Sequence, residues 1–471
     1  MTEAEHHAGA GGYTERIAEF VSALRFEVIP GQVRTRIKLL VLDAFGCALY
    51  GSALSWSRIL RDTLARVDSS RACAVWGTAD RLSAPHAALA NGTQVQGFEL
   101  DDVHRAGVLH VGAVVLPALV ALAETGTPMS GRELIAAAVA GYEVGPRVGL
   151  CMGPEHIAQG WHSGATVGVF AAAAAAARAL SLDREQTVHA LGIAGTQAAG
   201  LMAAQYGAMV KRMHAGRSSQ SGLYAALLAA GGFTGIRDVF ETEYGGFCTT
   251  FSRSHDRFDL NQLVAGLGET WQTLGVALKF YACVASNHTT LDALRALRAD
   301  HPFRADEVAR VRVLGSQATV DHVGWKYAAQ GLTAAQLNLS YCAATFLLEG
   351  DCFVEQFSEA LLDDPARVAL AARIEVEHDP QITARGARYR HMVHVEVSLR
   401  DGTLLRRSVE APRGGEQAFA ADAEIIAKFE KLAGAVLAPP QVALLRDTVL
   451  DLENVADACT LARALAPHPA R

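Results

Sequence analysis

The chain has 471 residues, of which 50% are hydrophobic and 19% charged, and a formal net charge of −7. That length exceeds what a single core sustains, so two or more domains are expected, and the apolar share excludes long disorder. With 42 Lys and Arg against 49 Asp and Glu and no long run of either sign, the chain carries no electrostatic footprint for nucleic acid.

Residues 1–12 read as a loose tail, and Gly9–Gly12 has no preceding strand that would make it a dinucleotide loop. The start lacks the basic-then-apolar order of a signal peptide, and the most apolar run, 165–177, is shorter than a bilayer span. A cytoplasmic protein with no membrane partner is the expectation. From Tyr13 to about Thr270, apolar spacing is helical: Ile17, Phe20, Val21 and Leu24 share one face, 32–49 forms a second helix, and 84–98 and 111–123 flank a polar stretch. Ala-rich segments at 132–145, 165–180 and 218–230 continue the pattern, and small side chains let such helices pack closely. Asp183 and Gln186 are spaced as a capping box.

Beyond about residue 276 the texture changes. Strands are predicted at 308–314, 372–377, 391–399 and 404–409, the last two joined at Asp401-Gly402 as a hairpin. Helices at 288–299 and 333–348 lie between them, which makes an antiparallel α+β unit. Residues 420–465 return to helix. The predicted division is 1–276 helical, 277–412 an α+β lid, and 413–471 helical, docked back onto the first part. The fold class is mainly α.

The eight cysteines form no C-x-x-C and read as reduced, buried thiols, with no second thiol among the chain neighbours of Cys283. No metal ligand set and no cofactor motif is visible. What stands out is 99–110, where Glu99, Asp101, Asp102, His104 and His110 crowd twelve residues between two apolar helices. Polar groups so placed form either a structural network or a site for acid–base work. Four more segments carry titratable groups: His162 in 160–166, Lys211-Arg-Met-His214-Ala-Gly-Arg217, Lys279 to His288, and Trp325-Lys-Tyr327. The stretch at 211–217 reads as a basic turn ahead of a helix.

In this order the segments resemble the MmgE/PrpD family, which includes 2-methylcitrate dehydratase, cis-aconitate decarboxylase and iminodisuccinate epimerase. The similarity runs from about Tyr13 to about Leu465 and is carried by Asn91-Gly, Glu99 to His110, Gly160-Trp-His-Ser-Gly-Ala-Thr, Lys211-Arg-Met-His-Ala-Gly-Arg and Gly232-Phe-Thr-Gly. The resemblance implies a large all-helical domain built from both chain ends, a smaller α+β lid, a homodimer, and a cofactor-free cleft for a small polycarboxylate. It implies His110, His162, Lys211 and His288 as catalytic residues, with Glu99, Asp102, His214, Lys279 and Tyr327 binding substrate. Val103 stands where the family commonly has threonine. The expected activity is a lyase, with dehydration of a 2-methylcitrate-like acid favoured over decarboxylation of a cis-aconitate-like acid or epimerisation of an iminodisuccinate-like acid. A catalytically silent carboxylate binder is the alternative from another class.

Overall fold

The computed structural model describes residues 11–467, so the tail expected at 1–12 lies almost wholly outside the described residues. Two long helices, Gly31–Ser52 and Gly131–Met152, belong to a bundle with Ala84–Val95, Val111–Glu124, Gly168–Ala179, Arg184–Gly195 and Val210–Ala230. Gly131–Met152 is long and apolar enough to cross a membrane, but it is buried inside this bundle. The Ala-rich faces explain the close packing: 170–177 is wholly buried, and Ala171 packs against the Gly141 and Gly145 positions of the neighbouring helix. The capping box at Asp183 and Gln186 forms as spaced.

A close main-chain approach joins Ala84–Val95 to Val210–Ala230. A Cβ on Gly92 would sit 2.6 Å from the Gly216 Cα, and one on Gly216 would sit 2.1 Å from the Leu89 carbonyl oxygen. Only two hydrogens in place of two side chains permit this contact. It matters because Glu99 follows the first helix and Lys211 opens the second.

Residues 308–409 supply a four-stranded sheet, in the order 374–378, 308–315, 393–399, 404–409. The hairpin turns at Gly402, where φ is +93°. The sheet is mixed rather than antiparallel, because Val311–Gly315 pairs in parallel with Ile374–His378. A parallel pair needs a long crossover, and here helices including Leu339–Glu349 and Pro365–Ala371 provide it. The helix expected at 333–348 is two helices, Leu332–Leu337 and Leu339–Glu349, and the strand expected from residue 391 begins at Val393. At the other end of the chain, Asp422–Ala433 and Pro439–Leu450 pack on Gly31–Ser52. Lys428 ties them together, donating to Asp43 Oδ1 and to the Leu100 carbonyl, both at 2.7 Å.

Candidate active site

The loop from Glu99 to His110 is held from three sides. Val103 and His104 pair with Ala277 and Val276, which brings Lys279 beside Glu99. Lys428 grips the Leu100 carbonyl. Asp102 accepts from the Gly112 amide at 2.9 Å and from the Tyr142 hydroxyl at 2.7 Å. Within the loop Glu99 and Val108 adopt left-handed backbone, with φ of +56° and +50°. For a β-branched valine that is a true outlier, and such strain persists only where the surroundings over-determine it.

Glu99 is the hub. Its Oε1 accepts from Lys211 Nζ and, at 2.5 Å, from Arg212 Nη1, and its Oε2 accepts from Lys279 Nζ at 3.3 Å. Burial alone would raise this carboxyl, but Lys211, Lys279 and Arg212 outweigh it and hold it well below the usual range. Burial opposes the charge on Lys211 and lowers its pKa, with Glu99 acting against that. Asp101 lies 3.8 Å from Lys279 Nζ. Three cations thus face two carboxylates, a buried excess of positive charge that an anion would balance. Lys211 uses one of its three donors on Glu99, leaving the others for a ligand.

The histidines are oriented by their neighbours. His110 Nδ1 lies 3.0 Å from both the Asp102 carbonyl and Asp101 Oδ2. Both accept only, so the Nδ1 proton is fixed and Nε2 is the free nitrogen. His162 and His214 share one proton between their Nδ1 atoms, 3.0 Å apart. Burial, then Lys211 and His214, push His162 well below its ordinary pKa, so it stays neutral.

Glu99, His110, His162, Lys211 and Lys279 line one cavity of about 70 Å³, together with others that include Ser163. Four helices begin at its wall: those starting at Val111, Ser163, Val210 and Ala285. Each N-terminus carries partial positive charge, which adds to the attraction for an anion. A wider depression of about 430 Å³ lies between Ser22–Glu27 and Arg178, but its Arg25 and Arg178 already donate to the Ser22 and Leu24 carbonyls.

The other expected site residues stand further back. Asp102 caps a helix, and His214 lies behind His162. His288 does not line the cavity: it is buried, with Nε2 3.2 Å from the Cys283 carbonyl and its ring edge-on to Tyr281. Tyr327 does not line it either, donating to the Leu362 carbonyl at 2.8 Å and packing on Tyr341. Within residues 277–412 the cavity is faced, besides the expected Lys279, by Ser286, His322, Arg390 and His391, none of which the sequence singled out. The only local signal for the last pair was a run of polar residues, 388–391, ahead of a strand. The segment 211–217 is not a turn but the first two turns of Val210–Ala230. Cys283 does meet other thiols: its Sγ and those of Cys342 and Cys352 all lie within 4.8 Å of one another. Among the described residues, this buried trio is the group that could hold a metal ion, and its all-sulfur donors suit a soft one. It lies outside the cavity lining.

Buried titratable groups set a pH dependence of stability. Burial lowers His104, His156, His214 and His322 to about 4 and raises Asp102 and Glu143 to about 7. At about pH 5 the unfolded chain binds protons on the four histidines that the folded chain refuses, while the folded chain holds two carboxyl protons that the unfolded chain releases. Burial pushes His162 and His391 lower still and raises Asp43 and Asp292. With the histidines outnumbering the carboxyls, unfolding takes up protons and stability falls with falling pH. Urea denaturation between about pH 5 and 6.5 reads this slope, and flat or rising stability on acidification would contradict it.

Residues 15–259 match the MmgE/PrpD N-terminal domain and residues 281–454 the MmgE/PrpD C-terminal domain. The chain belongs to the MmgE/PrpD family. Its similarity to known members of that family extends from end to end. It is 36% identical over 470 residues to the cis-aconitate decarboxylase-like protein oryM of Aspergillus oryzae, covering 96% of each chain. It is 34% identical over 477 residues to the cis-aconitate decarboxylase of Aspergillus terreus, again covering 96% of each. To the human cis-aconitate decarboxylase it is 26% identical over 469 residues, covering 97% of this chain and 95% of that one. As an MmgE/PrpD protein with such relatives, the chain is an enzyme of lyase type.

Proposed function

We propose that this MmgE/PrpD enzyme decarboxylates cis-aconitate or a close unsaturated tricarboxylate, rather than dehydrating a 2-methylcitrate-like hydroxy acid as the sequence first suggested. The observation that carries this reading is the end-to-end similarity to cis-aconitate decarboxylases, at 34–36% identity, in a chain whose cavity has excess positive charge and a free histidine nitrogen.

The chemistry fits those groups. In cis-aconitate, a CH2–carboxylate stands beside a double bond that bears a second carboxylate at its far carbon. When the C–CO2 bond breaks, its electron pair becomes a new double bond. The displaced π pair collects on the far carbon, beside that second carboxylate. Lys211 neutralises this carboxylate as charge spreads into it. His110, carrying a second proton on Nε2 taken from solvent, gives that proton to the carbon and is left neutral with its Nδ1–H still held by Asp101 and the Asp102 carbonyl, and His162 holds a further carboxylate. A trianion and one proton become a dianion and CO2.

Residues 277–412 act as a lid in this reading. At about 70 Å³ the cavity is smaller than the ~300 Å³ at which ligand pockets usually begin, and in this reading the lid moves to make room for substrate. The exposed apolar stripe of Val210, Tyr224, Leu227 and Leu228, with Met209 and Phe233 at its ends, is the surface we assign to a second copy in a homodimer.

Incubation with cis-aconitate in D2O tests the activity. One CO2 is expected per turnover, with one deuterium delivered to the former vinylic carbon. Glu99 and Asp101 already neutralise cations and leave no free carboxylate for a divalent ion, so turnover should survive exhaustive chelation. Deuterium exchange or addition of water without CO2 release would overturn decarboxylation. Activity lost to chelator and restored by Fe²⁺ or Mg²⁺ would overturn metal independence.

A further inference from the structure

The cavity is also lined by an arginine, Arg390, that makes no ion pair among the described residues; Glu416 favours its charge from further off and Arg105 opposes it. Arg390 Nε donates to His391 Nε2 at 3.0 Å, while its two terminal nitrogens make no hydrogen bond and no ion pair among the described residues. Its position is nonetheless built. The Arg390 carbonyl accepts from Ser316 Oγ at 2.6 Å and Thr319 Oγ1 at 2.8 Å, and the His391 carbonyl accepts from Thr289 Oγ1 at 2.7 Å. Because His391 Nε2 accepts, its Nδ1 carries the proton, and that Nδ1 is buried without a partner on a residue only 3% exposed. Beside them His322 Nδ1 meets Ser286 Oγ at 3.1 Å. The nearest arginine outside the lid, Arg105, has one acid, Glu416 at 3.1 Å, and keeps Nε and Nη1 unpartnered.

Around Glu99 the situation is the reverse, since Lys211, Arg212 and, from residues 277–412, Lys279 converge on it. Arg390 is only partly buried, so its guanidinium keeps free donors at the cavity, while the buried Nδ1–H of His391 has nothing to donate to, which is costly. Both sets of donors lie on one wall, and one group serves both: a planar anion with two oxygens.

We propose that Arg390, with the Nδ1–H of His391, forms a second carboxylate subsite on the lid, which takes a carboxylate other than the one held at Lys211 and selects substrates with at least two well-separated carboxylates. The inference rests on the proposed function, since both concern one cleft. It goes further in assigning residues that carry no part of the bond-breaking step. It also couples binding to closure: an acid bridging Lys211 and Arg390 ties the helical part to the lid.

Arg390→Gln and Arg390→Lys test this in the full-length protein, with cis-aconitate as substrate and tricarballylate, its unreactive saturated analogue, as the binding probe. Arg390→Gln should raise KM and weaken tricarballylate binding at least about 10-fold, the scale of a lost charge-assisted pair, with kcat changed much less. Arg390→Lys should recover part of the loss, since it restores the charge but not the planar fork. Unchanged KM and unchanged tricarballylate affinity in a folded Arg390→Gln protein would overturn the subsite. So would a wild type that binds no tricarballylate. A wild type that binds tricarballylate through Arg390 but releases no CO2 from cis-aconitate would overturn the proposed reaction and leave the subsite standing.

Discussion

Replacing His110 by alanine is expected to lower kcat on cis-aconitate at least about 100-fold while leaving the fold intact, the range for loss of a positioned acid or base. The ring is partly exposed to the cavity, with 14% of its side chain accessible, so its removal opens little core. What disappears is the one histidine nitrogen here whose partner nitrogen is pinned by two acceptors. Asp101→Asn should reproduce part of the loss, because the amide can turn a donor toward Nδ1 and misorient the ring. KM should move little in either variant, since Lys211 and Arg390 still hold carboxylates. A His110→Ala enzyme within a few-fold of wild type would remove His110 from the proton transfer and leave His162 as the candidate.

Replacing Glu99 by glutamine has the larger structural effect. The side chain is 1% exposed and neutralises Lys211, Arg212 and Lys279, so the variant keeps three buried cations with only Asp101 near them. Breaking a buried pair from one side costs about 3–5 kcal/mol. Urea unfolding should show that loss, and catalysis should fail along with it. Glu99→Asp keeps the charge on a shorter stem and should lose far less stability. A Glu99→Gln protein as stable as wild type would mean that the cations find another counter-charge or are not charged. Either result would undo the account of the cavity as a site short of one anion.

Much of the architecture was legible because it is written in local periodicity. The helices at 31–52, 111–124 and 131–152 follow from apolar spacing, and the hairpin at 393–409 from alternation around Asp401-Gly402. The parallel pairing of 311–315 with 374–378 was not legible, since a strand's local pattern names neither its partner nor the partner's direction. The site divides in the same way. Glu99, His110, His162 and Lys211 sit in dense polar runs and resemble a known family. Arg390 and His391 precede an ordinary strand, and nothing within a few residues tells a lone arginine that faces a cavity from one that faces water. His288 and Tyr327 failed to reach the cavity for a related reason: chain spacing carried them to the right segment, but side-chain direction is set by packing on Tyr281 and Tyr341. The trio of Cys283, Cys342 and Cys352 is likewise invisible to spacing, assembled from three separate stretches of chain.

The contact of Gly92 with Gly216 bears on how such an enzyme changes its diet. Where two helices meet main chain to main chain, their separation has no side chain to enlarge, trim or repack. Glu99 and Lys211 ride on those two helices, so the spacing of the chemical centre is an inherited constant that ordinary point mutation can break but not adjust. Residues 284–286 and 390–391 face the same cleft from elements with no such constraint. Novelty in the acids accepted must then arise at positions such as these, with old chemistry kept beneath a replaceable rim.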